Sequence, residues 1–180
     1  MKFPLLILLL ATAATAQFIP DTFNPPKTYT APTYKLVPLG PDVAALDFKA
    51  YMGSIDHLHT VMGPSWPKPT LTMEDQAKDM AGEKKSWDER KGFSFAVLTP
   101  DGSKELGCFY LRQSPKAGYD AVATLWAIQE EFDKGFEARL YKDMKVWVAQ
   151  AWPFQKVAWP GIEIPQDQWK ALPRKPRPQP

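Results

Sequence analysis

Apolar positions along this chain change period several times, and each change predicts an element. Val43, Leu46, Ala50, Tyr51, Ile55, Leu58 and Met62 recur at spacings of three, four and one. That is one face of a helix, with Asp42 as its N-cap and Gly63-Pro64 as its stop. Ahead of it, Tyr34 to Leu39 forms a short strand candidate closed by the breaker Gly40-Pro41. A second helix is predicted over 73–90, capped by Thr70 or Thr72. It is polar, with a thin apolar stripe at Met73, Ala77, Met80 and Trp87, so its charges should cover a solvated face. Thr72 with Asp75 or Gln76 resembles a capping box.

The period then falls to two. Phe93, Phe95 and Val97 alternate with Ser94 and Ala96, Thr99-Pro100-Asp101-Gly102-Ser103 is a turn, and Leu106 to Leu111 is the return strand. After a loop at 113–118, Ala121 to Ile128 completes an antiparallel meander. Phe136, Leu140, Met144, Trp147 and Ala151 restore helical spacing up to Pro153, and Val157-Ala158-Trp159 is a last short strand stopped by Pro160-Gly161. A strand, helix, strand unit implies parallel pairing through a right-handed crossover. The predicted fold class is α+β, a mixed sheet of about five strands flanked by helices.

The ends of the chain differ from this body. Met1 to Ala16 has Lys2, an apolar stretch from Phe3 to Ala11 and an Ala14-Thr15-Ala16 ending, the order of a cleavable signal peptide. The stretch is short of the about 20 apolar residues a membrane helix needs. Cleavage before Gln17, with no cysteine at the new N-terminus, predicts a soluble secreted or periplasmic protein. Residues 17–33, with Pro20, Pro25, Pro26 and Pro32, read as a linker over the surface or without order. The folded domain is expected over 34–164 and a basic, proline-rich tail over 165–180. From Pro173 onward that tail should be extended and solvated, or weakly attached to an anionic surface such as a phosphorylated lipid head group or a nucleic acid.

Composition narrows the chemistry. A net charge of +2 carries no nucleic-acid signature, and the single cysteine permits no intramolecular disulfide. Cys108 lies in the apolar run Leu106-Gly107-Cys108-Phe109-Tyr110-Leu111 and reads as a buried, inert thiol. His57 and His59, two residues apart on a helix, point in different directions and do not share a metal; solvated or capping roles are expected. No Ser-His-Asp pattern, H-E-x-x-H, phosphate-binding G-x-x-x-x-G-K-[ST] or clustered metal ligands are visible, so the expectation for metal is none. The joint Gln129-Glu130-Glu131-Phe132-Asp133-Lys134-Gly135-Phe136 stands out. It links a strand to a helix N-terminus, where free N–H groups and the helix dipole favour an anionic ligand, yet it carries three acids.

The element order, carried by Phe93 to Gly102, the LGCFYL phrase at Leu106 to Leu111, Ala121 to Ile128 and the helix from Phe136 to Trp152-Pro153-Phe154, resembles the GNAT superfamily, the acyl-CoA N-acyltransferase fold. The likeness spans Tyr34 to Gly161. It implies an acetyl-CoA co-substrate and an amine acceptor, hence an N-acetyltransferase; the alternative is a catalytically silent exported binding protein on the same fold, using its cleft or its tryptophans. By position, the resemblance assigns strand contacts with the pantetheine arm to Trp126, Ala127 and Ile128, and the pyrophosphate turn to Lys134, Gly135 and Phe136. Gln129 matches the first polar residue of the family's turn, while Phe132 and Lys134 stand where glycines are usual. Glu130, Glu131 and Asp133 bring negative charge to that turn. Glu130 and Glu131 read either as a general base or as acids placed by the helix dipole. The catalytic residues are left unassigned. The family's later helix and strand pair have no counterpart after Gly161, so the fold is expected in a C-terminally truncated form.

Overall fold

The computed structural model describes residues 18–176. The expected signal peptide, residues 1–16, and the last four residues of the expected tail lie outside them. The elements are β1 (Tyr29–Thr30), β2 (Lys35–Pro38), α1 (Ala44–Met52), α2 (Ile55–Val61), α3 (Met73–Asp88), β3 (Gly92–Leu98), β4 (Glu105–Gln113), β5 (Ala121–Ala127), α4 (Gln129–Phe132), α5 (Phe136–Ala151), β6 (Val157–Ala158) and α6 (Gln166–Ala171), with a 3-10 turn at Pro41–Val43. One mixed sheet runs in sequence order from β1 to β6. Its first five strands are antiparallel neighbours, and β6 is parallel to β5, as the crossover through α5 requires.

The centre of the sheet is covered on both faces. Phe93, Phe95, Val97 and Phe109 join Leu140, Met144, Trp147 and Val148 of α5 in one core. Ala96, Leu98, Cys108 and Trp126 join Ala50, Tyr51, Leu58 and Met80 of the first three helices in another. Ser94, which alternates with the β3 phenylalanines, is therefore buried and not solvated. Its hydroxyl donates to Glu83 Oε2 at 2.7 Å and accepts from Arg112 at 3.2 Å, and Arg112 pairs with Glu83 at 2.6 Å. This small network satisfies polar atoms that burial alone would penalise. The α3 cap matches the sequence: Thr72 and Asp75 form a reciprocal capping box.

Several expectations are corrected. The sheet has six strands, because Tyr29–Thr30 pairs with β2. That strand comes from the proline-rich segment read as a linker, which lies on the core: Ile19 is fully buried, Phe18 stacks on Phe154 at 4.9 Å, and Phe23 meets Trp152. Prolines there remove N–H donors without preventing aromatic side chains from packing. The single helix predicted over 42–62 is two helices, broken at Gly53-Ser54, and its N-cap is Val43, not Asp42. The apolar spacing continues across the break because both helices rest on one core. The start of the tail is tied down: Lys116 donates to the carbonyls of Lys170 at 2.9 Å and Leu172 at 2.6 Å, and 115–117 exchanges main-chain bonds with 173–175. A lysine on the last carbonyls of α6 complements the dipole end of that helix. Among the described residues, no helix is long and apolar enough to cross a membrane.

Candidate functional site

The site begins where β5 loses its neighbour. Pairing with β6 covers only Ala121 with Val157 and Val122 with Ala158. The β6 chain then turns away at Pro160-Gly161, with the Trp159 carbonyl accepting from the N–H groups of Ile162, Glu163 and Ile164 at 3.3, 2.9 and 3.2 Å. The rest of β5 keeps one edge without a strand. Main-chain groups alternate sides along a strand. The Ile128 N–H donates to Leu106 O at 2.9 Å, while its carbonyl accepts from Glu131 and Phe132 of the next turn; by alternation the main-chain groups of Trp126 serve β4, and those of Ala127 face the open edge. The Ala127 N–H is engaged there by a side chain, Glu137 Oε2, at 3.1 Å.

Glu137 belongs to the first turn of α5. The N-cap of that helix is Gly135, in the left-handed conformation at φ 74°, and no side chain caps it. The first main-chain bond into the helix is Arg139 N–H to Gly135 O. The N–H groups of Phe136, Glu137 and Ala138 are left without acceptors among the described residues, as the opening of an uncapped helix must be. A cavity of 470 Å³ lies against this turn, walled by Phe132, Glu137, Ala138, Tyr141 and Ile162. The Phe136 side chain is buried, meeting Tyr34 edge-on at 5.3 Å, with the Arg139 guanidinium over the ring 5.1 Å from its centre.

The three acids of the joint are held by their neighbours. They sit in or beside the single turn of α4. Glu130 accepts from Lys104 at 2.6 Å and Lys134 at 2.7 Å, Glu131 from Lys134 at 2.9 Å, and Asp133 from the Gln129 amide at 2.7 Å. The bonds from Lys104 and Lys134 hold the Glu130 carboxyl down at about 2. Two cations and an amide thus meet three carboxylates, leaving less uncompensated charge beside the α5 N-terminus than the bare sequence suggests.

Beside the open edge lies a histidine for which a solvated or capping role was expected. His57 is 5% exposed; its ring packs on Phe132 at 4.3 Å, and its Nε2 lies 3.9 Å from Glu137 Oε2 with no hydrogen bond. The break at Gly53-Ser54 sets its direction. The buried Ser54 hydroxyl accepts the Gln129 N–H at 3.1 Å, pinning the α1–α2 corner to the end of β5. His59 instead bonds the Pro67 carbonyl at 2.9 Å. Burial pushes the Glu137 carboxyl up from its ordinary value, while the Ala127 N–H and His57 pull it back.

On the other face of the sheet, the β3–β4 register passes from Val97 opposite Gly107 to Leu98 opposite Glu105, skipping Leu106. This bulge resets the two-residue alternation, so Glu105 and Cys108 share a face although they are three apart. Asp47 of α1 meets them: the Cys108 thiol lies 3.3 Å from Asp47 Oδ1 and 3.2 Å from Glu105 Oε1. All three are buried. Burial and the Asp47 carboxylate push Glu105 well above the ordinary glutamate range. This cluster is not legible in the sequence because Asp47 and Cys108 are 61 positions apart and the bulge is not visible in the apolar pattern.

Of the residues assigned by resemblance, the fold gathers Ala127, Gly135 and Phe136 at the open edge and the helix start. Trp126 turns its buried side chain to the α1 face and its main chain to β4, Ile128 likewise bonds β4, and Lys134 pairs with acids. No protein-family model matches the sequence, and no curated protein matches it. Solved structures do. A ribosomal-protein-S5-alanine acetyltransferase from Vibrio fischeri superposes with a TM-score of 0.56 at 16% identity, covering 69% of this chain and 68% of that one. RimL, a ribosomal L7/L12 α-N-protein acetyltransferase, superposes with a TM-score of 0.51 at 13% identity, over 68% and 64% of the two chains. With the opening of β5 from β6 and the uncapped α5, this likeness shows that the chain shares the mixed-sheet fold of these acetyltransferases.

Proposed function

We propose that this chain binds an acyl-CoA along the open edge of β5 and transfers the acyl group to an amine. The observation that carries the reading is the juxtaposition of an unpaired β5 edge with three free N–H groups at the start of α5. An extended amide-containing arm can hydrogen-bond the one, and a pyrophosphate the other. The residues present fit such a ligand: Phe136, Glu137 and Ala138 offer main-chain donors, and Arg139 lies on the same turn. His57 is the buried base nearest the edge and is assigned the proton of the acceptor amine, with the Glu137 carboxylate 3.9 Å away to stabilise the imidazolium that forms.

Glu137 has a second consequence. Its carboxylate holds the Ala127 N–H that an acyl or pantetheine carbonyl needs, and it adds negative charge beside the pyrophosphate position. Like unit charges repel by about 1–4 kcal/mol at 4 Å, depending on solvent exposure, and about 1.4 kcal/mol is tenfold in affinity. Glu137→Gln keeps an acceptor for Ala127 and removes the charge, so CoA affinity is expected to rise about tenfold, while amine turnover falls through loss of the His57 partner. The same variant has a pH signature. Because the folded carboxyl is raised, its ionisation costs stability; the cost is absent below the ordinary glutamate range and grows as pH rises through the folded value. The Glu137→Gln variant should lose that decline in thermal stability on going to neutral pH, and an unchanged pH profile would remove Glu137 as its source.

Binding is tested by thermal shift with CoA. Ligand at ten times Kd stabilises by about 1.4 kcal/mol, roughly 3–6 °C for a chain of this size. A shift in the wild type, with acetylation of an amine panel, supports the enzyme. A shift confined to Glu137→Gln supports the silent binding protein on the same fold, with the Glu137 charge as what keeps CoA from the wild type. No shift in either at millimolar CoA overturns acyl-CoA binding.

The signal-like N-terminus supports export as part of this proposal. The described fold opens with Phe18 and Ile19 packed on the core, directly after the expected cut. Expressed in a secreting host, the protein recovered outside the cytoplasm should begin at Gln17 by intact mass; full-length protein retained in the cytoplasm would refute export.

A further inference from the structure

Asp47, Glu105 and Cys108 pose an electrostatic problem. Their ligand atoms all lie within 4.8 Å of one another, and none is more than 4% exposed. No lysine or arginine pairs with Asp47 or Glu105 among the described residues. One Glu105 oxygen, Oε2, is buried with no hydrogen-bond partner. Buried carboxylates are ordinarily paired with cations or bound to metals. Here the donors present are one amide and one thiol.

We infer that Asp47, Glu105 and Cys108 form a site for one divalent zinc-like cation. The ligand set suits that ion, with one thiolate and two carboxylates. The separations also suit it. Bonds of about 2.3 Å to sulfur and about 2.0–2.1 Å to oxygen at tetrahedral angles put sulfur and oxygen about 3.5 Å apart, close to the 3.2 and 3.3 Å seen from Cys108 to the two carboxylates.

The surroundings are those of a ligand set held in place. Gln76 Nε2 donates to Asp47 Oδ2 at 2.7 Å, leaving Oδ1 toward the thiol, and the Tyr51 hydroxyl donates to Gln76 Oε1 at 3.0 Å. This chain of outer bonds orients the α1 carboxylate. Glu105 also lines a cavity of 310 Å³ between α1 and the end of β5, with Leu46, Ser54, Ile128 and Gln129 in its wall. That cavity supplies an entry path and room for water at the fourth position. The site is independent of the acyl-CoA reading, lying on the α1 face of the sheet.

The chain's single cysteine makes the test direct. Full-length protein freed of metal by chelator is titrated with Co²⁺ and then Zn²⁺. A thiolate-to-cobalt charge-transfer band saturating at one equivalent, and bleached by one equivalent of Zn²⁺ because zinc binds such sites more tightly, is the expected result; only Cys108 can give it. No band at severalfold excess of Co²⁺ overturns the site, as does zinc uptake without a thiolate band, which would come from surface groups. Asp47→Asn keeps the thiol and removes a carboxylate ligand. It should weaken Zn²⁺ at least tenfold, and unchanged affinity in the folded variant would also overturn the assignment. If that variant does not fold, the wild-type cobalt band decides alone.

Discussion

Gly107→Ala is expected to abolish or cripple folding. The residue sits at φ 151°, opposite both Val97 and Ala127, beside the bulge of β4. A Cβ there would lie 2.0 Å from the Trp126 carbonyl oxygen and 2.8 Å from Ala127 Cα. Both obstacles are main chain, so no rotamer change relieves the clash, and β4 and β5 must separate. That places the cost at the upper end for single substitutions, about 4–5 kcal/mol, within a total of only about 5–15 kcal/mol. With an m-value of about 2 kcal/mol/M, the urea midpoint should fall by about 2 M or more. Gly118→Ala separates conformation from crowding: its φ is 80°, with nothing within 4 Å of an added Cβ. It should cost only the about 1–2 kcal/mol of a left-handed residue. Equal midpoints for the two variants would show that the β4–β5 contact is not the source.

The same bulge explains what could be read from the sequence and what could not. The strand and helix periods of Phe93 to Val97, Ala121 to Ile128 and Phe136 to Ala151 reflect burial of whole faces, which is a property of neighbouring residues, and the fold follows from them. The acid-bearing joint was legible for a similar reason: helix starts and charges are local. The side on which a residue falls is not local. Ser94 alternates with the β3 phenylalanines, and nothing near it in sequence shows that Glu83 and Arg112 arrive from α3 and β4 to satisfy it. His57 looks like a helix-surface residue until the Gly53-Ser54 break and Phe132 enclose it. Glu105 joins Asp47 and Cys108 only because a skipped register at Leu106 turns it inward. Each case needs tertiary contacts that apolar spacing does not encode. The prolines at 20, 25, 26 and 32 marked a segment poor in regular structure, but could not show that Phe18 and Ile19 ahead of them and Phe23 among them pack on the core.

Phe95→Ala is expected to have the other large effect, through packing alone. The ring is fully buried on the α5 face of β3 and meets four aromatics: Trp87 at 5.1 Å, Phe109 at 6.0 Å, Trp147 at 5.4 Å and Trp152 at 6.4 Å. Rigid rings on several sides collapse poorly into a void, so the cost should reach about 3–5 kcal/mol, transfer and cavity terms together. Phe95→Leu, which refills much of the volume, should cost distinctly less, and Val146→Ala on the exposed face of α5 almost nothing, within about 0.5 kcal/mol; Val146 is 55% exposed. Urea midpoints measure all three, and an Ala cost no larger than that of Leu would mean the site relaxes. The consequence extends to the ligand. Trp147 and Trp152 attach the C-terminal half and end of α5 to β3 through Phe95, while Phe136 and Glu137 at its other end set the helix start against the open edge of β5. Loosening the aromatic contacts lets the helix shift along the sheet, moving the three free N–H groups relative to Ala127. In Phe95→Leu, stable enough to remain folded, any CoA-induced thermal shift should therefore shrink relative to the wild type; a full shift would show that the helix start is held by the Gly135 turn and Glu137 without help from the core.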